Sequence, residues 1–233
     1  MSSPSTSKPT LFQLFHEIGA SEYRSVIRFF EDHEEPIQSL LFNEYFEMLV
    51  AYSEALFETG SYEKHLETAN LAIELSVMNN IKIHKGYNIF QQLLFRKSAS
   101  HYYLMEYAQA EHILRELIKI CPSEDLYSRF LIKVLRKRLP SHVHKTRAIS
   151  VFLFILSALV ICVEILLVRP WFPTYTFGVE MLRNGIFFLG WIVLVGGDGL
   201  NYLNMHREVK QFEKEVQQNK LRKLHKRHKE HSY

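Results

Sequence analysis

The chain has few residues that cross-link or interrupt a fold: two cysteines, seven prolines and nine glycines among 233 residues. Cys121 and Cys162 fall in segments of different character, which excludes a disulfide framework and fits a reducing compartment. Strand-type alternation of apolar and polar residues is almost absent, so an all-β fold is excluded. Residues 1–10, rich in Ser, Thr and Pro, lack the apolar core of a secretory signal peptide. We therefore expect a disordered start and no signal peptide.

Signatures of catalysis are also missing. The sequence has no Gly-x-Ser-x-Gly, no phosphate-binding Gly-rich loop followed by Lys-Ser or Lys-Thr, and no His-Glu-x-x-His. Histidines are scattered among the predicted helices of the first half rather than grouped. We therefore predict no catalytic site, no metal site and no cofactor, and we do not expect an enzyme.

Acidic residues are missing from one region and abundant in another. Met1 to Phe130 carries 11 Lys/Arg against 18 Asp/Glu, a net charge of −7. Residues 131–147 hold six basic residues and no acidic one, and the chain after Gly199 holds nine basic against four acidic. The chain thus divides into an acidic domain, a basic collar, an apolar section and a basic tail.

Two apolar segments in the last third predict a transmembrane hairpin. Residues 147–168 include 21 consecutive residues with the single charge Glu164, and a helix of that length spans roughly 30 Å, the thickness of a hydrocarbon core. The second segment, 177–199, is less apolar because it includes Glu180 and Arg183. A re-entrant or interfacial segment is the alternative for it. Two prolines in the connector 169–176 favour a short loop between two spans.

The distribution of basic residues predicts the orientation of this hairpin. Lys and Arg crowd before the first span and after the second, whereas the connector has only Arg169. Cytoplasmic flanks carry the excess of Lys and Arg. We therefore expect an integral, two-span membrane protein with both termini in the cytoplasm.

The charged residues within the spans suggest an intramembrane ion pair. Glu164 and Arg183 lie at similar depth in antiparallel helices, and each alone would cost about 2.5–3.5 kcal/mol near the bilayer centre. We predict that Glu164 contacts Arg183, with Glu180 as a competing acceptor. The alternative is that both side chains extend to the headgroups.

Apolar residues at helical spacing predict an all-α domain over residues 11–140. We expect a break at Glu35-Pro36 and then five helices. These predicted helices cover 41–59, 62–76, 87–105, 107–120 and 124–138.

Two of the predicted helix pairs repeat one another. Ser53 and Tyr62 in the first pair correspond to Ser98 and Tyr107 in the second, each at a distance of 45 residues. With Ala110 on the second helix and Pro122 after it, the pattern resembles the tetratricopeptide repeat, in units at about 42–76 and 90–122. The resemblance is degenerate, because the family period is 34 residues and His65 stands where a small residue is expected. An irregular helical bundle is the alternative.

The resemblance implies a groove that binds a partner protein or peptide. In the family, stacked repeats leave a concave face lined by the first helix of each pair. The residues that the first helices would contribute here are Asn43, Glu47, Tyr52, Lys97 and His101.

Residues 200–233 form a basic tail. Tyr202, Met205, Val209, Phe212 and Val216 follow a 3-4 spacing typical of a short coiled coil, which would pack on the chain itself or on a second copy. Basic side chains beside the membrane bind anionic lipid headgroups, and the residues predicted for this role are Arg147, Arg222, Lys223, Lys226 and Arg227. Nucleic acid is not an expected partner, because no folded or aromatic reader accompanies the charge. We also expect no metal ion at His225, His228 and His231, since the neighbouring Lys and Arg side chains would repel a cation.

Three functional classes fit these features. The first is a membrane-anchored adaptor whose cytoplasmic helical repeats bind a partner. The second is a two-span effector or signalling protein that oligomerises under the control of the helical domain. The third is a structural subunit of a larger membrane complex.

Overall fold

The computed structural model describes residues 10–19, 21–138, 141–171 and 176–230, with the side chains of 141–144, 167–169 and 224–230 excepted. The chain is almost entirely helical, as the sequence predicts. It divides along the sequence into two compact units, and the division falls between Phe130 and Leu131. This division lies within a helix, upstream of the predicted boundary at residue 140. Each unit is described by itself.

The first unit begins with three short helices, α1 (Leu11–His16), α2 (Tyr23–Asp32) and α3 (Glu34–Gln38). The predicted break at Glu35-Pro36 is wrong by a few residues. The chain breaks at His33, with φ −126° and ψ 28°, and Pro36 lies in the first turn of α3. Proline is tolerated there because the first N–H groups of a helix have no partner within it.

Two antiparallel helix pairs follow and make up most of the unit. They are α4 (Phe42–Glu58) with α5 (Tyr62–Met78), and α6 (Ile89–Tyr103) with α7 (Tyr107–Ile120). Each helix packs on the next along the chain, and α2 packs across α4. Buried residues on α4 recur at helical spacing, as Phe46, Leu49, Ser53 and Leu56 show. This face forms the core together with α1, α2 and the start of α6.

A small β-hairpin connects the two pairs. Strand β1 (Ile83–His84) is antiparallel to β2 (Tyr87–Asn88), with Ile83 opposite Asn88 and His84 opposite Tyr87. The sequence predicted a helix from residue 87, whereas α6 begins at Ile89. Asn88 caps the start of this helix, because its side chain accepts a hydrogen bond from the Gln91 backbone N–H at 3.1 Å. Helix α8 (Asp125–Lys137) then runs across the division between the units.

The second unit is dominated by two long helices. Helix α9 (Ser141–Val163) passes without interruption into a π-helical turn (Glu164–Val168) and a short α10 (Arg169–Trp171). Helix α11 (Thr176–Glu230) is continuous over 55 residues, so the second apolar segment and the predicted tail form one helix. Of the predicted connector 169–176, residues 172–175 lie outside the described residues, as do residues 1–9 of the predicted disordered start.

Candidate functional site

The turn between α4 and α5 and the turn between α6 and α7 have the same geometry. Gly60 (φ 80°) and Met105 (φ 62°) are both left-handed, and they are 45 residues apart. The residue that follows has nearly the same backbone angles in both turns. They are φ −80° and ψ 60° at Ser61, and φ −84° and ψ 61° at Glu106. Its N–H donates to Leu56 O at 2.9 Å in the first turn and to His101 O at 2.8 Å in the second.

Small buried residues on the two pairs also correspond. Ser53 on α4 and Ser98 on α6 are 1% and 0% exposed. Ser98 Oγ donates to Phe95 O at 2.6 Å. These positions allow each pair of helices to approach closely, because the side chain adds little volume between the backbones.

His65 departs from this correspondence, because Ala110 occupies the matching position on α7. The imidazole is completely buried, and its Nδ1 is hydrogen-bonded to Ser100 Oγ at 2.8 Å. Its Nε2 has no hydrogen-bond partner among the residues that the structure describes. Burial, together with the nearby charge of Arg96, lowers the pKa of His65 to about 4. Ser100 is completely buried too, so this Ser–His pair offers no surface to a substrate.

The five residues predicted to line a partner groove do not form one surface. Tyr52 is largely buried beneath α2: its ring stacks on Phe30 with centroids 4.2 Å apart, and its hydroxyl donates to Glu31 Oε1 at 3.0 Å. Glu47 faces His16 on α1, with Nε2 at 3.4 Å, and Lys85 in the β-hairpin, with Nζ at 3.3 Å. The N-terminal helices thus cover the part of α4 that the prediction left open.

The other three predicted groove residues are separated from these. Asn43 is exposed near the start of α4. Lys97 and His101 are half-buried on α6, and His101 Nδ1 lies 2.6 Å from Glu106 Oε2. Between α4 and α6, Arg96 Nη2 donates to Glu54 Oε1 at 2.5 Å. A charged contact that the sequence did not predict therefore links α4 and α6, the first helices of the two pairs.

A different depression lies between α2, α3, α4 and α5. It encloses about 450 Å³, and its lining combines Tyr45, Leu49, Leu71 and the predicted groove residue Tyr52 with charged residues. The charged lining residues are Glu31, Glu34, Lys64 and Glu67. Lys64 Nζ donates to Glu31 Oε1 at 2.9 Å, and this contact lowers the pKa of Glu31. The sequence does not predict this depression, because it depends on where α2 and α3 pack and not on any motif.

In the second unit, Glu164 and Arg183 are in contact, as the sequence suggested. Arg183 Nη1 donates to Glu164 Oε2 at 2.9 Å, and the Glu164 side chain is 1% exposed. Arg183 also donates to Asn184 Oδ1 at 3.3 Å. Glu164 begins the π-helical turn that follows α9. A carboxylate that is buried within an apolar helix pair is stable only with such a partner.

A second ion pair closes the opposite end of the same helix pair. Arg147 on α9 donates to both carboxylate oxygens of Asp198 on α11, at 3.0 and 3.3 Å. The contact of Arg147 with lipid headgroups stays a prediction: its guanidinium is engaged by α11, and its side chain is 46% exposed. The two ion pairs together fix α9 and α11 as antiparallel neighbours in one register.

Two glycines allow α11 to approach α9 closely between these ion pairs. A Cβ on Gly190 would lie 3.1 Å from Phe154 Cε1 and 3.3 Å from Leu153 Cβ. A Cβ on Gly197 would lie 2.9 Å from Thr146 Oγ1. Arg183, Gly190 and Gly197 follow one another at seven-residue intervals, so they lie on one face of α11. That face is the interface with α9.

The outer faces of both helices are apolar and uncovered. Lys145–Leu166 and Thr176–Lys223 are long and apolar enough to cross a membrane, and only 17% and 6% of their most apolar stretches are buried. Exposed side chains include Phe152, Ile155 and Leu159 on α9, and Phe188 and Ile192 on α11. A helix from the core of a soluble protein would be mostly buried, so these surfaces require a different environment.

The predicted tail residues are described in part. Met205 and Val209 of the 3-4 pattern are buried, whereas Tyr202 is half exposed. Arg222 and Lys223 are exposed at the end of α11, and the side chains of Lys226 and Arg227 lie outside the described residues, as do those of His225, His228 and His231. Among the residues that the structure describes, no cluster of His, Cys, Asp and Glu could hold a metal ion.

Comparison of this chain with protein-family models, with curated proteins and with solved structures finds no match.

Proposed function

We propose that this protein is a membrane-anchored adaptor. In this proposal, α9 and α11 cross the bilayer as a hairpin, and the helical domain binds a partner protein at the membrane surface. The observation that carries it is the helix pair itself, which is apolar and uncovered outside but joined by an ion pair at each end. Such a pair is suited to lipid on its outer faces, because the charges inside it are mutually satisfied.

The spacing of the ion pairs supports membrane insertion. Glu164 lies 17 positions after Arg147 along the first helix, which corresponds to roughly 25 Å of helix rise. The charges would therefore lie near the two boundaries of a hydrocarbon core of about 30 Å. We further propose that both termini are cytoplasmic, because basic residues flank the hairpin on the side of Arg147 and Asp198.

We propose that α4–α5 and α6–α7 are two degenerate tetratricopeptide-like units. The equal turn geometry at Gly60 and Met105 supports this, as do the buried serines at matching positions. The insertion that lengthens the period is the segment with the β-hairpin, between the end of α5 and the start of α6. Helices α1 to α3 would then cap the first unit, where α2 packs on α4.

The partner surface that we favour is the depression between α2, α3, α4 and α5. Its apolar floor and its glutamates suit a helical or extended segment with both apolar and basic side chains. This surface replaces the predicted five-residue groove and includes one of its five members, Tyr52.

A pull-down with the full chain in mild detergent tests the adaptor proposal. Glu67→Arg reverses a charge in the depression and should abolish recovery of the partner. Asn70→Arg, at an exposed position on the same helix outside the depression, is the matched control and should retain it. Equal recovery with both variants would contradict the proposed surface.

The same preparation separates the adaptor from the two other classes. A stoichiometric integral membrane partner, retained after removal of residues 219–233, would favour the structural-subunit reading. Dye leakage from vesicles that contain the purified chain alone would favour the oligomerising effector.

A further inference from the structure

The helical domain contains one segment whose charge is opposite to that of the rest. No acidic residue occurs between Glu74 and Glu106, although the domain as a whole has a net charge of −7. The basic residues of this segment nearest the β-hairpin are Lys82 and Lys85, and both are exposed. Lys85 Nζ lies 3.3 Å from Glu47 Oε1, so Lys82 is the residue that gives this part of the acidic domain a cationic side chain.

The hairpin is held in a defined conformation. Lys85 (φ 48°) and Gly86 (φ 84°) form the two-residue turn, and positive φ at both positions matches the twist of a tight hairpin. The Ile89 N–H donates to Lys82 O at 3.2 Å and thereby joins the base of the hairpin to α6. The His84 ring lies edge-on to Phe46 in the core, with centroids 6.0 Å apart. One side of the hairpin is thus anchored to the domain.

The other side of the hairpin carries apolar residues that the domain does not cover. Ile83 is 70% exposed and Tyr87 is 69% exposed. Val77 and Met78, in the last turn of α5, are 61% and 73% exposed. Four large apolar side chains therefore protrude within a short stretch that also bears the exposed lysines. A cluster of this kind marks an interaction site more often than single exposed residues do.

We infer that this hairpin docks on the surface of an anionic lipid bilayer, through Ile83 and Tyr87 with Lys82 beside them. The inference rests on the proposed membrane anchor, which keeps the domain at high effective concentration near lipid. Tyrosine favours the headgroup boundary, a short aliphatic side chain penetrates shallowly, and lysine is attracted to anionic headgroups. Charge complementarity selects lipid, because Lys82 lies in a segment, residues 75–105, that has no acidic residue, unlike the rest of the acidic domain.

The docked hairpin would give the adaptor a second membrane contact. The helical domain would then be oriented on the bilayer by the hairpin as well as by its covalent connection to α9. A fixed orientation lowers the entropy that is lost when a partner binds.

Site-directed fluorescence of the full chain in vesicles tests this inference. Ile83→Cys in a Cys121→Ser, Cys162→Ser background is labelled with an environment-sensitive fluorophore. The vesicles contain phosphatidylcholine alone or with phosphatidylserine, and each type is prepared with and without a nitroxide-labelled lipid. Met105→Cys is the matched control, because Met105 is also an exposed apolar residue, 75% exposed, but lies at the α6–α7 turn.

The expected result is a blue shift and nitroxide quenching at position 83 in anionic vesicles, with neither at position 105. Lys82→Glu should abolish the effect, whereas Arg24→Glu, the same change at an exposed residue of α2, should not. Equal solvent exposure at positions 83 and 105 would overturn the inference, as would a shift that appears only after a soluble protein is added. Resistance of the same vesicles to alkaline extraction keeps the anchor proposal separate, because it reports insertion of α9 and α11 and not the hairpin.

Discussion

His65 shows how one residue couples the packing of the helical domain to pH. Its imidazole lies between α5 and α6, against Phe57 and Ser100. The matching position on α7 is Ala110, which is also completely buried. The first helix pair therefore encloses a titratable ring where the second encloses a methyl group.

We predict that His65 makes the domain less stable in acid. Its pKa is about 4 in the folded domain and near 6.5 in the unfolded chain. The folded state therefore binds fewer protons than the unfolded chain does. The contribution of neutral His65 to the free energy of unfolding is complete above pH 6.5 and is lost as the pH falls to 4. The loss amounts to roughly 3 kcal/mol. Urea unfolding of the full chain in detergent, followed by circular dichroism across this range, measures it.

His65→Ala should lower stability at neutral pH, because it leaves a cavity. It should also make the free energy of unfolding less dependent on pH between pH 6.5 and 4. A pH profile in the variant as steep as that of the natural chain would contradict this account.

The two interhelical turns give a matched pair of backbone predictions. Gly60→Ala places a Cβ at φ 80° and should lower the free energy of unfolding by about 1 kcal/mol. Met105→Gly relieves the same strain at φ 62° and should raise it by up to about 1 kcal/mol, because Met105 is 75% exposed and loses little packing. Urea midpoints measure both changes. Shifts in the same direction would contradict the equivalence of the two turns.

At the scale of elements, the contact between α9 and α11 depends on a small residue at the crossing. Gly190→Leu should push the helices apart, because even its Cβ would lie 3.1 Å from Phe154. The expected loss is about 1–3 kcal/mol, measured by thermal unfolding in mild detergent. Gly185→Leu is the matched control, because nothing lies within 4 Å of a Cβ at that position. Equal destabilisation by both changes would place the interface elsewhere.

The ion pair between Glu164 and Arg183 gives a second prediction for these helices. Glu164→Arg or Arg183→Glu alone leaves two like charges at the contact and should cost up to about 2.5–3.5 kcal/mol, the cost of an isolated charge at the bilayer centre. The double variant restores opposite charges and should recover most of that loss, as measured by the yield of correctly inserted protein and its melting temperature. A double variant no better than the worse single variant would show that the contact contributes nothing.

The sequence predicted those elements whose signal is local. Tyr62 and Tyr107 begin α5 and α7 as predicted, because each follows a turn and opens an apolar periodic run. The Glu164–Arg183 contact followed from depth in antiparallel helices and from the cost of an isolated charge. The β-hairpin was not predicted, because two-residue strands are too short to show alternation.

Features set by packing between distant segments could not be predicted. Tyr52 was assigned to a groove with the other first-helix residues, but the depression that it lines is formed with α2, α3 and α5, and Phe30 stacks on its ring. Arg147 was explained by the basic collar, so its contact with Asp198, 51 residues away, was missed. The depression at Glu31 and Glu67 likewise exists only once α2 and α3 are placed against α5.

At the scale of the whole molecule, opposite charges are separated along the chain. The helical domain is acidic, whereas residues 131–147 and the end of α11 are basic. Basic residues beside a span set orientation and attract anionic lipid, and an acidic domain is repelled from the same lipid. The cationic hairpin at Lys82 is the exception that would allow one contact of the domain with the bilayer. This separation of charge along the chain is consistent with the proposed membrane anchor.

The most direct test of the account is the accessibility of single cysteines in cells that express the full chain, in a background with Cys121 and Cys162 replaced by serine. Ser2→Cys, Thr174→Cys and Tyr233→Cys report the start, the connector and the end of the chain. A membrane-impermeant maleimide should label position 174 in intact cells, and positions 2 and 233 only after permeabilisation. Labelling that places positions 2 and 233 on opposite faces of the membrane would contradict the two-span hairpin.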